Sequence, residues 1–567
     1  MRWVYNTKIN PDHELLKYGE ILAQILFTRG IESIEEAEEF FNKDLKLIPA
    51  FSLIPNIKKA GALVKKVIDS KSKIYIYGDY DVDGISSSAI LFDFVFRDLK
   101  ADVIPYIPNR FEEGYGLNRQ ALDYILEQGA KLVITVDCGI KDSALVNEYV
   151  AKGLKFIITD HHTLPENGLD FDKSVPLVHP NLPRSKYPFK EICATNVVWK
   201  LVQQIAELYE LKNFNAEKYI DLVALATVCD VMPLIQENRI IVSLGLLKLQ
   251  NSDNFGLRSI LEKNKLDLNL LDAYHFGFVL GPRLNAAGRM EDAILGLKLL
   301  TSYDVKIVNN IEDRLEILNK ERQAITMKYI AEAEIQAVEQ IRANNKLLFV
   351  KGDDWSEGII GLVAGKLTEK YYLPTIAVSN TNGVSKGSAR SIKGFNITEA
   401  ISKSSELLTR FGGHSQAAGF SASLDKLERF MIDIQEYAKQ TISDDMLENV
   451  LHLDALIDSA SLNIDFVKQL LNLKPFGYGN QTPTFEIRNV KVIKKSLLGK
   501  DAKHFKMRGQ LQDGTIIEAI AFNKPEFFAK IADNEFISLA GQLDINIWNG
   551  QENLQFGIKD IKLKDEK

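Results

Sequence analysis

Residues 73–84 read KIYIYGDYDVDG, a short β-branched and aromatic run that ends in Gly78 and then places acids at alternate positions, Asp79, Asp81 and Asp83, before Gly84. A run of this length bounded by turn residues has the pattern of a strand buried on both faces, and the SSSAILFDFVF that follows reads as a helix. The same grammar recurs downstream. After ADVIPYIP, the run KLVITV ends in Asp137-Cys138-Gly139 and KFIIT ends in Asp160-His161-His162, with helix-length segments between them. Strands alternating with helices predict a mostly parallel sheet covered on both sides. In such sheets ligands bind outside the carboxyl ends of the strands, so three strand ends deliver acids and imidazoles to one edge. A fourth segment, LVALATVCDVMPL, carries one acid, Asp230, just before Pro233.

So many carboxylates do not converge without cations, because like charges a few ångströms apart cannot all stay ionised. Carboxylates mixed with imidazole favour Mn²⁺, Mg²⁺ or Zn²⁺ over an all-oxygen Ca²⁺ cage. Two such ions would clamp the attacking and leaving oxygens of an in-line displacement at phosphorus. Each motif alone has a plainer reading. Asp79 to Gly84 matches the start of an EF-hand loop, but position twelve is Ile90 where a bidentate Glu is required, and a strand precedes it. Asp137 before Cys138-Gly139 is also a turn former, and paired histidines occur on plain surfaces. Their joint placement at matching strand ends points to a two-metal phosphodiesterase.

The bulk composition is that of a folded globular chain: 567 residues, 46% apolar and 26% charged, long enough for several domains. The absence of a long uncharged apolar stretch argues against a membrane span, and the first twenty residues lack a secretory-signal pattern. Three cysteines, Cys138, Cys193 and Cys229, build no disulfide framework and suggest a reducing, cytoplasmic setting. A net charge of −7 argues against coating long nucleic acid through charge alone, though not against a nucleic-acid enzyme whose acids are neutralised by metal.

The chain divides by pattern into a short-helical segment at 1–70, an α/β domain at 71–295, a connector helix at 296–345, a second α/β domain at 346–445 and a β-barrel at 446–567. Between Leu297 and Lys351 there is neither Gly nor Pro, and Ile311, Leu315, Leu318, Ile325 and Tyr329 follow a three/four spacing. LLFV (347–350) and TIAVS (375–379) are strands around the helix IIGLVAGKLTEKY, followed by the Gly-rich KGSARSIKG and FGGHSQAAGF. The tail alternates in short strands, with Asn549-Gly550 as a hairpin turn.

GDYDVDG, the DCG segment, the DHH triplet and VCDVMPL, in this order, resemble the DHH phosphoesterase superfamily. GPRLNAAGRM (281–290), SARS (388–391) and GGHSQAAGF (412–420), followed by a terminal barrel, narrow the resemblance to RecJ-type single-stranded-DNA exonucleases. The resemblance runs from about residue 50 to the C-terminus. It implies a DHH domain and a DHH-associated α/β domain joined by the long helix, with an OB-like barrel. It also implies two Mn²⁺ or Mg²⁺ ions, with Asp81 and Asp83 on different ions, Asp137 bridging, and His161 and Asp230 completing the set. Asp79, Asp160 and His162 would act beside them in catalysis. Arg110, Arg283, Asn285 and Arg289, with Ser388, Arg390, Gly412, Gly413 and His414, would bind substrate phosphate.

In the barrel, Lys494, Lys495, Lys500, Lys503, Phe505, Lys506 and Arg508 read either as a basic track with a stacking aromatic or as a solvated face over a core aromatic. The implied activity is 5′→3′ hydrolysis of single-stranded DNA to 5′-mononucleotides in repair and recombination, by a cytoplasmic monomer working with single-strand-binding protein and a recombination helicase. Alternatives are another DHH phosphodiesterase, of nano-RNase or cyclic-dinucleotide type, or a non-catalytic replication scaffold. One departure stands out: ICATNVVWKL (192–201) replaces a glycine-rich helix start, which leaves a close backbone approach there without its glycines.

Overall fold

A computed structural model of the chain describes residues 1–110, 112–381, 383–548 and 550–563. It comprises two compact units, Leu45–Glu448 and a second made of Met1–Asp44 with Asn449–Lys567.

The first unit is built on a five-stranded parallel sheet whose strands lie in the order Val103–Tyr106, Ile74–Gly78, Leu132–Val136, Lys155–Thr159 and Leu177–Val178. Alternation decides which face each side chain serves. Ile74 and Ile76 pack with Val64, Ile85 and Val198 from helices on one face, while Tyr75 and Tyr77 pack with Leu122, Ile125 and Tyr149 on the other. Both faces are dry, which is why the strands read as unbroken apolar runs. The register sets the site: Gly78 pairs with Val136, and Val136 with Thr159. The next residue on each strand is therefore Asp79, Asp137 or Asp160, three carboxylates in a row along one sheet edge.

The expected connector is the helix Val305–Arg342, 38 residues long. It begins later than the Gly/Pro-free stretch because Asp304 caps it, accepting from the backbone N–H groups of Lys306 and Ile307; Ile294–Thr301 forms a separate helix. Its first half buries Val308, Leu315 and Leu318 against the parallel-sheet core, and its second half buries Ala333 and Ala337 against a smaller core that includes Trp355. Tyr329 stacks on Trp355 at 5.1 Å.

That second half supports a five-stranded sheet ordered Leu408–His414, Ala417–Ser423, Val384–Arg390, Thr375–Thr381 and Leu348–Asp353, antiparallel except for the last pair. The Gly-rich segments are thus largely strands. Gly387 is required because a Cβ there would lie 2.2 Å from the Phe420 ring.

In the other unit, Arg2–Tyr5 pairs in parallel with Val450–Leu453. The segment at 1–70 expected as one helical piece divides at Asp44: its beginning joins the C-terminal residues, while the helix Ile57–Asp69 covers the parallel sheet. A four-residue strand whose partner is remote in sequence leaves no local periodicity to read. The long strands Phe485–Leu498, His504–Gln510, Ile516–Ala521, Phe536–Trp548 and Gln551–Leu563 close into a barrel through an extra pairing of the first with the fourth. Trp548 pairs with Gln551 where the hairpin turn was expected; Asn549 lies outside the described residues. Leu15, Ile25 and Leu26 belong to the same core as Phe485, Phe505 and Phe556. Leu26→Ala is therefore expected to destabilise this unit by about 2–5 kcal/mol, read as loss of amide-exchange protection in residues 485–563, with unchanged protection there as the contrary result.

Candidate metal centre

Each acid at the sheet edge is held by local backbone geometry. Asp81 caps the helix Val82–Asp93, its Oδ1 accepting from the N–H groups of Asp83 (2.9 Å) and Gly84 (3.2 Å). Gly84 is obligatory, since a Cβ there would sit 2.5 Å from the Asp79 carbonyl oxygen. Asp83, one residue into that helix and 1% exposed, turns toward a different element. Its Oδ2 accepts from the Ala194 N–H at 2.7 Å and its Oδ1 from the Thr195 N–H at 2.8 Å. The start of the helix Ala194–Leu208 thus makes the close approach to a carboxylate without the glycines the resemblance led one to expect. Asp137 adopts a left-handed backbone, φ 64°, a conformation Asp tolerates. Asp230 follows the last turn of the helix Ile220–Cys229.

The side chains converge. His161 Nε2 lies 3.3 Å from Asp137 Oδ1, 3.5 Å from Asp230 Oδ2 and 3.7 Å from Asp83 Oδ2. Three sets of possible ligand atoms result, each within 4.8 Å: Asp83, His161 and Asp230; Asp79, Asp81 and Asp137; and Asp137, His161 and His162. Asp137 and His161 each belong to two sets. Asp160 acts differently. Its Oδ1 accepts from the N–H groups of His161 (2.7 Å) and His162 (3.1 Å) and pairs with His162 Nδ1 at 2.8 Å, while Oδ2 accepts from the Ile140 N–H at 3.0 Å. This carboxylate is consumed in shaping the two histidines.

The electrostatics favour a bound cation. Burial, then repulsion by neighbouring aspartates, raises the pKa of Asp137, Asp79 and Asp230 well above the usual carboxylate range. Burial lowers that of His161. Asp160 goes the other way: burial opposes ionisation, but the bond and charge of His162 hold it below the ordinary value. Four buried atoms, Asp79 Oδ1, Asp137 Oδ1, Asp230 Oδ2 and His161 Nε2, have no hydrogen-bond partner. Buried polar atoms are normally satisfied, and a group of oxygen acceptors with one imidazole nitrogen fits divalent metal. None of the three cysteines enters these sets among the described residues; the Cys138 thiol donates to the Tyr77 carbonyl and the Cys229 thiol to that of Phe276.

Beside the cluster opens a cavity of 660 Å³ lined by Tyr80, Arg110, Tyr115, Asp160, His162 and Arg289, and across it by Ser388, Arg390, Gly412, Gly413 and His414. Arg110 lies over the Tyr80 ring at 4.8 Å, and Arg289 donates to the Gly358 carbonyl at 2.9 Å. Burial and then Arg110, Arg322 and Arg390 lower the Arg289 pKa to about 10, the signature of cations gathered for an anion. Gly413 has φ 152° and leaves no space for a Cβ, which would meet the Ala417 carbonyl at 2.4 Å. Two expected residues do not line this cavity. Arg283 is engaged by Glu316 (2.8 Å), the Val279 carbonyl (2.9 Å) and Asn264, and so braces its own helix. Asn285 is half-buried one turn before Arg289. Tyr115, which sequence reading passed over, places its hydroxyl 3.4 Å from the Asp137 carbonyl and from His162; its signal was its place in the same loop as Arg110.

Metal removal tests this arrangement. The folded, metal-free chain holds protons on Asp79, Asp137 and Asp230 that the unfolded chain releases, so their contribution is favourable at low pH and is lost as pH rises above about 4. The stabilisation that Mn²⁺ confers over the EDTA-treated chain in thermal melts is expected to be larger at about pH 8 than at about pH 5. An equal or larger effect at the lower pH would contradict the assignment.

Residues 73–227 match the DHH family, N-terminal domain, residues 344–440 the DHHA1 domain, and residues 453–560 the RecJ OB domain. The single-stranded-DNA-specific exonuclease RecJ of Bacillus subtilis is 34% identical over 100% of this chain and 71% of its own length. That of Dickeya dadantii is 30% identical over 95% of this chain and 96% of its own. The crystal structure of RecJ in complex with Mn²⁺ from Thermus thermophilus superposes with a TM-score of 0.85 at 26% identity, covering 100% of this chain and 80% of that one. With three domain matches and full-length likeness to named relatives in agreement, this chain belongs to the RecJ family of single-stranded-DNA-specific exonucleases.

Proposed function

We propose that the protein is a metal-dependent exonuclease that hydrolyses single-stranded DNA from a free 5′ end, releasing 5′-mononucleotides in DNA repair and recombination. The observation that carries this is the adjacency of the carboxylate–histidine cluster to a cavity lined by Arg110, Arg289 and Arg390. Two Mn²⁺ or Mg²⁺ ions, when bound, supply the positive charge that in-line displacement at phosphorus needs. Asp81, Asp83 and Asp137 would hold them, with Asp79, His161 and Asp230 as further ligands. Asp160 fixes His162 toward the reacting phosphate, and Tyr115 braces the ring.

Arg110, Arg289, Arg390, Ser388 and His414, with the Gly412-Gly413 backbone, receive the terminal phosphate. The 5′→3′ polarity is what the sequence resemblance implies.

The barrel holds the strand. Phe505 is fully buried, so the stacking role assigned to that position falls to exposed rings instead. Phe522, 60% exposed, sits edge-on to His504 at 5.3 Å. Lys494 and Lys500 are exposed, whereas Lys506 and Arg508 pair with Glu518, Lys503 pairs with Asp501, and Lys495 donates to the Phe528 carbonyl. We assign Phe522, Lys494 and Lys500 to base stacking and backbone contact. No single helix among the described residues is long and apolar enough to cross a membrane. A cytoplasmic monomer acting with single-strand-binding protein and a recombination helicase completes the reading.

End-labelled oligonucleotides test it. With Mn²⁺ or Mg²⁺, 5′-labelled single strands are expected to yield labelled mononucleotide at once and 3′-labelled strands a shrinking ladder, both stopped by EDTA. Asp137→Ala abolishes the reaction, and Arg390→Ala lowers kcat/KM on 5′-phosphorylated strands about 10- to 100-fold. Immediate release of the 3′ label, or turnover by Asp137→Ala, would overturn the proposal. Phe522→Ala is expected to weaken binding of long single strands by about 1–3 kcal/mol while leaving trinucleotide hydrolysis unchanged; equal loss on both would assign the ring to structure.

A further inference from the structure

The Asp83 carboxylate has an unusual allocation of its two oxygens. Oδ2 accepts one backbone bond, from Ala194. Oδ1 accepts the Thr195 N–H and also lies 2.6 Å from Thr195 Oγ1. That hydroxyl is in turn 3.0 Å from Ser87 Oγ, and both Ser87 and Thr195 are 0% exposed, so no solvent competes. A hydroxyl carries one proton. The shortest contact, 2.6 Å to Oδ1, claims it ahead of the Asp83 carbonyl at 3.0 Å, and Ser87 then donates to Thr195. Oδ1 thereby has two donors for two lone pairs and is saturated. Oδ2, 3.7 Å from His161 Nε2, keeps one lone pair directed at the ligand set.

We infer that Thr195 is a positioning residue for the metal centre: its hydroxyl occupies Oδ1 so that Asp83 presents a single oxygen, Oδ2, to a cation. This rests on the metal-site reading above. One-oxygen coordination suits the compact octahedral shells of Mg²⁺ and Mn²⁺, whereas Ca²⁺ readily takes both oxygens of a carboxylate. Releasing Oδ1 therefore relaxes the choice between small and large cations, which a residue that only packed the helix start would not do.

The test is titration of the full-length, metal-stripped chain with Mn²⁺ and with Ca²⁺, followed by calorimetry. Thr195→Val, which keeps the shape and removes the hydroxyl, is expected to weaken Mn²⁺ binding about 10-fold and to lower the Mn²⁺-over-Ca²⁺ affinity ratio by a similar factor. Thr195→Ser restores both to near the wild-type values. Should the valine chain not fold, Thr195→Ala makes the same comparison. An unchanged ratio in the hydroxyl-less variants, or a serine variant as impaired as the valine one, would overturn the inference. Wild-type and Asp137→Ala chains run alongside separate the two levels: a wild-type chain that binds no Mn²⁺, or an Asp137→Ala chain that binds it normally, overturns the metal site itself.

Discussion

Negative charge crowded into a dry space is the constraint on which the rest of this molecule depends. Asp79, Asp83 and Asp137 are each less than 5% exposed, and Asp81 and Asp230 stand beside them. In such a setting burial and mutual repulsion raise the pKa of Asp79, Asp81, Asp137 and Asp230, so the fold carries an internal instability that divalent cations relieve. The protein contributes partial positive charge where it can: backbone N–H groups at two helix starts hold Asp81 and Asp83. The four unpartnered buried atoms are what those devices leave over.

The parallel sheet makes this crowding possible. Register places Asp79, Asp137 and Asp160 one step beyond three adjacent strands, and two dry faces keep those strands from shifting, since a one-residue slip would exchange the faces that Ile76 and Tyr77 serve. The division of labour along the edge then follows from what each acid can still do. Asp160 spends its lone pairs on the two histidines and the Ile140 N–H; Asp137, in a left-handed turn, has an oxygen left unsatisfied and belongs to two ligand sets. The cavity adjoining them gathers Arg110, Arg289 and Arg390 from the same unit.

The strand ends were legible because buried parallel strands announce themselves as apolar runs, and the acids stand where each run stops. The long helix was legible from Leu315 and Leu318, though its start was set by the Asp304 cap. What escaped was non-local. Arg2–Tyr5 pairs with residues near the far end of the chain. KGSARSIKG and FGGHSQAAGF are largely strands whose glycines make room for neighbours such as Phe420. Phe505 alternates into the barrel core although it stands among lysines. Arg283 and Arg289 lie in one motif, yet only Arg289 reaches the cavity, because Glu316 and Asn264 claim the other. Thr195 stands in the segment that departs from the family pattern, but nothing there pointed to its hydroxyl, which folding brings to Asp83.

On the proposed reading these acids and His161 together hold two divalent cations with Asp137 between them. Anomalous diffraction at the manganese edge from crystals grown with Mn²⁺ measures this directly. Two peaks about 3.5–4 Å apart, one bounded by Asp83, His161 and Asp230 and the other by Asp79 and Asp81, with Asp137 touching both, is the predicted result. A single peak, or peaks away from Asp137, would contradict it.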